Sequence, residues 1–425
     1  MGNQNLGDEA LVRAVIENIR RRRPEAEVIA FTRRPSDTRD RHGIPAFPIN
    51  RMGEAPAGAA GRSDGGAGEA LVARLAAFLK RIPLLRALVR VARRLGRVAI
   101  GVPAELGFLV GAYRHLRGTD LLLVAGSGQL NDYWGGPWGV PFTLWKWALL
   151  ARATRTKVAF LSLGAGPLRT RLGKFFIRSS LRLADYRSYR DDDSRRCVVA
   201  LGVRGEHHVV PDLVFSLHLE PAPGVAVSAR ARIVGINPMP VFATGYYPES
   251  DPHRFRAYVE THAAFADWLL ERGYGVRFFA TQLLVDHGVI DEVRARMRRG
   301  PVVDSQQRVF AGRIGGLEDL VAILNSVDCV LATRYHGVLL PMVLLKPVMS
   351  IAYQRKSLEL MRDMGQAEYA IAIDELTLET LQQRFLALER HRAEIVATLR
   401  PRLPSMRAAL EAQYDRACTL MGRVA

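Results

Sequence analysis

Val327-Asp328-Cys329-Val330-Leu331-Ala332-Thr333-Arg334-Tyr335-His336-Gly337 is the stretch on which the fold turns. Its first six residues are a short, nearly unbroken apolar run, the pattern of a parallel strand buried on both faces. A second apolar run, 338–345, reads as a helix and closes on Lys346-Pro347. A cation, an imidazole and a glycine therefore stand where a strand hands over to a helix. In open α/β sheets ligands bind at that carboxyl end, and a helix N-terminus there favours anions. An arginine paired with a neighbouring acid, beside a histidine packed as core, is the competing structural reading, and from this stretch alone both stand.

The same alternation extends outward in both directions. Strands are read at 27–31, 44–49, 119–125, 158–163, 207–210, 233–236, 276–280 and 348–352. Between them lie helices from Leu11, from Arg171, and over 194–201, 253–272, 286–299 and 316–326, with a helical tail at 375–422. This order predicts an α/β protein with parallel sheets and helices on both faces. A chain of 425 residues exceeds one ordinary core, and Pro221-Ala222-Pro223-Gly224 reads as a linker. Two doubly wound, Rossmann-like domains are expected, 1–220 and 221–425, with the site in the cleft between them.

The formal charge of +18 suggests an anionic partner, but only six of the 60 basic residues are lysine. Fifty-four arginines, with abundant Ala, Gly and Val, look as much like genome composition as selection for phosphate contacts. No helix-turn-helix, zinc-finger or RNA-recognition pattern appears, so no nucleic-acid partner is expected. Acidic substrates or an anionic membrane surface fit the charge better. Three scattered cysteines, Cys197, Cys329 and Cys418, form no CxxC pair and fit a reducing cytoplasm. The chain is polar from Met1, with no signal peptide, and the apolar segment 98–113 is too short to span a bilayer comfortably.

Glycine-bearing loops are read at strand ends: 2–7, 126–128 and 164–166. None is a Walker loop or a full GxGxxG, but three on one sheet imply close approach of an anionic or polyhydroxylated ligand to the backbone. The first runs into a helix with Asp8 as its N-cap, and no strand precedes it. Either the fold lacks that strand or the true start lies upstream. Residues 53–68 read as a Gly/Ala-rich excursion, followed by a basic amphipathic insertion over about 69–117. Its helix at 81–97 aligns five arginines, as a solvated surface helix or, alternatively, one lying on a membrane. Four of the five tryptophans fall within 134–147, as a sugar-stacking platform or a hydrophobic plug. His207 and His208 read as structural, and His287, beside Gln282 and Asp286, is a secondary candidate. No GxSxG, HExxH or metal-ligand cluster stands out.

Taken together, Gly2-Asn3 through Gly7-Asp8-Glu9-Ala10-Leu11, Gly126-Ser127-Gly128, Ser188-Tyr189-Arg190-Asp191 with Ser194, Pro211-Asp212, and Arg334-Tyr335-His336-Gly337 followed by Tyr353 and Lys356 resemble the polysaccharide pyruvyl transferase family. The resemblance runs from residue 2 to about 375 and implies a GT-B-like fold. It implies transfer of pyruvate from phosphoenolpyruvate to a sugar, as a ketal across two hydroxyls, with release of phosphate. No cofactor is expected beyond that co-substrate. The acceptor is expected to be a glycan or lipid-linked saccharide, with peripheral contact at the cytoplasmic face of the inner membrane.

The residue chemistry agrees. A carboxylate and a phosphate call for guanidinium forks, so Arg334 and Arg190 are assigned to the donor, with Lys356 or Arg355 as a further cation. His336 is the general acid by type and position; Asp8, Asp191 or Asp212 is the base for the sugar hydroxyl, with a cap or a structural ion pair as the alternative reading of each. Asn5, Asp8, Trp134 and Trp138 are assigned to the acceptor. A nucleotide-sugar glycosyltransferase of the same architecture, or a non-catalytic glycan-binding member, are the alternatives.

Overall fold

The structure, a computed structural model, describes residues 4–51, 103–133, 135–219, 233–246, 250–298, 308–312 and 314–422. The excursion at 53–68, the basic helix at 81–97, the 221–224 linker and Trp134 lie outside them.

Two larger parallel sheets carry the molecule. In the first half, β3 (Leu121–Ala125), β4 (Lys157–Leu163), β5 (Tyr186–Tyr189) and β6 (His208–Val209) pair in that order. The short strands β1 (Ala30–Thr32) and β2 (Ala46–Pro48) form a separate parallel pair. All five residues of β3 are only half-buried, and among the described residues no strand pairs with its other edge. The second sheet, entirely parallel, runs β12 (Ala370–Ala372), β11 (Val348–Ala352), β10 (Cys329–Ala332), β7 (Ile233–Asn237), β8 (Gly275–Phe278) and β9 (Val309–Phe310). Its centre is β7 beside β10, and the strand order reverses between those two. That reversal splays the following loops apart and opens a crevice at the carboxyl ends.

The deciding stretch sits at this switch point. Every side chain of β10 is buried, as an apolar run covered on both faces requires, and each fully buried Leu or Val contributes about 1.5–3 kcal/mol. The following helix spans Tyr335–Val343, not 338–345. Arg334 is still extended (φ −71°, ψ 137°), so helical geometry begins one residue later and places Tyr335 and His336 in the first turn. Leu345, with φ of 57°, has left the helical region.

Helix α1 (Leu6–Arg22) joins the two halves. Its cap is Asn5, not Asp8: the extended Asn5 accepts the N–H groups of Gly7 (3.0 Å) and Asp8 (3.4 Å) on Oδ1. Asp8 is already helical, so it cannot occupy the flanking position a cap needs. The opening loop does not share a sheet with the other two glycine loops. Leu6 N–H donates to Thr281 O (2.7 Å) and Leu283 N–H to Gln4 O (3.0 Å), tying it to the segment after β8 (Gly275–Phe278) of the second sheet. The apolar face of α1 lies in one continuous core with Leu213 and Val214 of the first half and Val234 and Ile236 of the second. The last helix, Arg402–Thr419, returns to the first half, where Arg22 Nε meets Asp415 Oδ1 at 2.6 Å.

The aromatic-rich stretch contains a helix, Val140–Ala153. Trp147 within it is a core residue whose indole N–H donates to Ile49 O at 2.9 Å, as the plug reading required.

Candidate active site

Arg334 leaves the carboxyl end of β10 and is clamped. Its Nε and Nη2 donate to Oδ1 of Asp286 at 3.1 and 2.5 Å, and Nη1 donates to Tyr246 Oη at 2.8 Å. Asp286 is fully buried at the start of the helix Asp286–Arg296, and its Oδ2 accepts the N–H groups of Thr281 (3.1 Å) and Gln282 (2.8 Å). A carboxylate out of water is sustained only by such a full set of donors. Burial pulls the Arg334 pKa down, but Asp286 and Tyr246 outweigh it and the guanidinium stays charged. Both readings of the deciding stretch therefore hold at once: the arginine pairs with an acid and also lines the cleft.

Arg190 enters from the other sheet, at the end of β5. Its guanidinium lies 4.4 Å from the centroid of the Tyr335 ring, with Nε 3.3 Å from Asp191 Oδ2 and Nη1 3.8 Å from Asp212 Oδ2. Each acid spends its other oxygen on a cap, Asp191 for Ser194 N–H (2.7 Å) and Asp212 for Val214 N–H (3.1 Å). The glycine loops after β3 and β4 make room for this side chain. A β-carbon on Gly164 would stand 2.6 Å from Arg190 Nη2 and 3.2 Å from the Gly128 Cα.

His336 faces Asp212 across 3.9 Å, Nε2 to Oδ2, and neither atom has a hydrogen-bond partner among the described residues. Burial drives the imidazole pKa down to about 4; Asp8 pulls it up, while Arg190 and Lys356 push it further down. Burial raises the Asp212 carboxyl, with Arg190 opposing. Burial thus disfavours the charged form of both groups, the imidazolium and the carboxylate.

Lys356 stands in the first turn of the helix Arg355–Asp363, its Nζ 5.6 Å from the Tyr335 ring centroid and 5.7 Å from that of Tyr353. It forms no ion pair within 4 Å among the described residues, although its charge is felt at Asp212. Arg355 is exposed and occupied, with Nε 2.7 Å from Asp193 and 2.9 Å from Glu359.

One cleft thus gathers Asn5, Asp8, Arg190, Arg334, His336 and Lys356, drawn from both halves of the chain. Trp138 does not line it and packs instead edge-on against Phe142 and Phe176. His287 does not line it either, whereas Thr281, Tyr335 and Tyr353 do. Asp286 and Tyr335 carry weight that the sequence reading did not give them. An acid opening a helix after a strand was a usable signal for Asp286; the ring between two cations was not foreseeable from spacing.

A family model described as polysaccharide pyruvyl transferase matches residues 5–355. No curated protein matches the chain. Among solved structures, the UDP-GlcNAc 2-epimerase of Neisseria meningitidis bound to UDP-GlcNAc is 9% identical, with 98% of this chain and 97% of that one covered and a TM-score of 0.54. The UDP-GlcNAc 2-epimerase of Methanocaldococcus jannaschii is 10% identical, with 89% of each chain covered and a TM-score of 0.52. These likenesses concern the fold alone, which is GT-B-like. Among the described residues no helix is long and apolar enough to cross a membrane.

Proposed function

The chain belongs to the polysaccharide pyruvyl transferase family, and on that premise we propose that it moves pyruvate from phosphoenolpyruvate to a sugar of a surface polysaccharide or its lipid-linked precursor, as a ketal. The observation that supports this most directly is the convergence of Arg190, Arg334 and Lys356 around His336. A donor bearing both a phosphate and a carboxylate asks for several cations in one place, and Lys356 is a cation there that forms no ion pair within 4 Å among the described residues.

The reaction forms two C–O bonds at C2 of the enol and breaks the C2–O bond to phosphate. Of the two hydroxyl protons released by the sugar, one ends on C3 and the other on phosphate. Free His336 is neutral near pH 7, because burial holds its pKa near 4. Donor binding places negative charge beside it and raises its proton affinity. His336 then carries the proton delivered to C3, and Asp8, facing the same cleft, is placed to take one from the acceptor.

The test is phosphate release from phosphoenolpyruvate in the presence of oligosaccharides or lipid-linked saccharides with free diols. His336→Gln is expected to lower kcat by at least about 10²-fold, and Lys356→Gln to raise the donor KM about tenfold or more with folding unchanged. Full turnover in His336→Gln would remove the acid assignment. Thermal stabilisation by nucleotide sugars and none by phosphoenolpyruvate would replace the reading with a glycosyltransferase.

A further inference from the structure

Between Asp132 and Asp185 the chain runs 52 residues without an acid while carrying nine arginines and lysines. Folding brings part of that run to one surface. The helices Val140–Ala153 and Arg171–Arg182 pack side by side. Across them Trp138, Phe142, Trp145, Phe175 and Phe176 form an unbroken series of ring contacts, with centroids 5.0 to 6.3 Å apart. Trp138 is 64% exposed and Phe175 53%, flanked by exposed Leu149 and Leu172. Large apolar side chains grouped on a surface mark a contact site rather than a solvated face.

The charge on this face has one sign. At about 100° per residue, Arg171, Lys174, Phe175, Arg178 and Arg182 share one side of their helix, and all five are exposed. Arg171, Lys174 and Arg178 have no ion-pair partner among the described residues. A solvated helix would interleave both signs of charge. Aromatic rings bordered by long cationic side chains suit a boundary where apolar chains meet anionic headgroups.

We propose that this face docks the protein on an anionic phospholipid bilayer, with Trp138 and Phe175 at the headgroup boundary and Arg171, Lys174 and Arg178 on the phosphates. A nucleic acid would also meet the charge. The rings, however, pack tilted or edge-on against one another, which does not present the separate parallel faces that stacked bases need. The inference is independent of the donor assignment, and it supplies the surface on which a lipid-linked acceptor would be met.

The test is flotation of the full chain with phosphatidylcholine vesicles, with and without about one-third phosphatidylglycerol. Binding is expected only with the anionic lipid. It should fall about tenfold or more in Trp138→Ser/Phe175→Ser and, separately, in Arg171→Gln/Lys174→Gln/Arg178→Gln, with circular dichroism reporting that each variant folds. Vesicle binding unchanged in both variants would overturn the proposal, since the attraction would then arise elsewhere on a basic protein. So would absence of vesicle binding, whether the face proves to take single-stranded oligonucleotide or to hold a dimer that Trp138→Ser/Phe175→Ser dissolves.

Discussion

Gly7 and His336 meet so closely that a β-carbon on Gly7 would stand 1.9 Å from Nδ1 of the imidazole. The backbone of the opening helix is therefore one wall of the histidine's pocket, and the glycine fixes where the ring sits. Gly7→Ala forces the imidazole, the helix or both to move. Overpacking of this kind costs about 1–3 kcal/mol, and a displacement of about 1 Å at a reacting group costs about 10²-fold in rate. We expect Gly7→Ala to fold with a modestly lowered Tm and to lose about 10²-fold in kcat. Wild-type turnover in that variant would mean that His336 is not placed by this contact.

Asp286 does for Arg334 what Gly7 does for His336. Asp286→Ala strands a buried guanidinium, and breaking such a pair costs about 3–5 kcal/mol. Asp286→Asn keeps the shape and one acceptor, so it should fold better than the alanine variant while holding the guanidinium less firmly. Urea unfolding should rank wild type above Asp286→Asn above Asp286→Ala. The donor KM of Asp286→Asn should rise about tenfold, the size of one charge-assisted contact. An Asp286→Asn unfolding curve equal to that of the wild type would show that the charge is not what the site requires.

These two contacts mark how far the sequence could be read. Strand-then-helix periodicity located β10 and the turn after it with Arg334, because buried parallel strands and their exits leave a local pattern; Arg190 and Lys356 came from the family resemblance and the chemistry of its donor, and they line the same cleft. The pairing of the opening loop with 281–283 and the support of Arg334 by Asp286 are contacts across roughly 50 to 280 positions, and periodicity carries no trace of them. The capping of α1 by Asn5 is local, but Asn5 and Asp8 are both good caps by type, and only the backbone decides which one stands outside the helix. The tryptophans misled for a related reason: composition shows that aromatics cluster but not which ring turns inward. Trp147 is core and Trp138 is surface, within one short segment.

Acid should weaken the fold through two histidines. His336 and His262 are both held near pKa 4 by burial, against about 6.5 in an unfolded chain. Between those values the unfolded state binds more protons than the native one, so stability rises with pH through that window and falls on acidification. Each group accounts for roughly 3 kcal/mol between pH 6.5 and pH 4 if fully expressed. Asp212, raised by burial, works in the opposite sense. His262 lies outside the cleft, its Nδ1 2.8 Å from Tyr258 O, so His262→Leu isolates one contribution. Urea unfolding at pH 7 and pH 5 should show a smaller acid loss in His262→Leu than in the wild type. An identical loss would assign the acid sensitivity elsewhere.

The last helix reaches the buried serines of the first sheet through Gln413. Gln413 Nε2 donates to Ser162 Oγ at 3.1 Å, the Ser188 hydroxyl donates to Gln413 Oε1, and Ser188 Oγ accepts the Ser162 N–H at 2.7 Å. Ser162 needs this support. Its φ is 50°, left-handed for a residue other than glycine, and it lies where the β4–β5 register shifts between Phe160 and Leu163. Two residues further on is Gly164, against which Arg190 rests. Gln413→Leu leaves two buried hydroxyls short of a partner, at about 1–3 kcal/mol for each such group. Ser162→Ala removes one of those hydroxyls, so the double variant should be less destabilised than the sum of the singles. Because the end of β4 also walls the Arg190 side chain, Gln413→Leu should raise the donor KM several-fold although it lies outside the cleft. Strict additivity in urea unfolding, together with an unchanged KM, would show that the returning helix braces neither the strand nor the arginine.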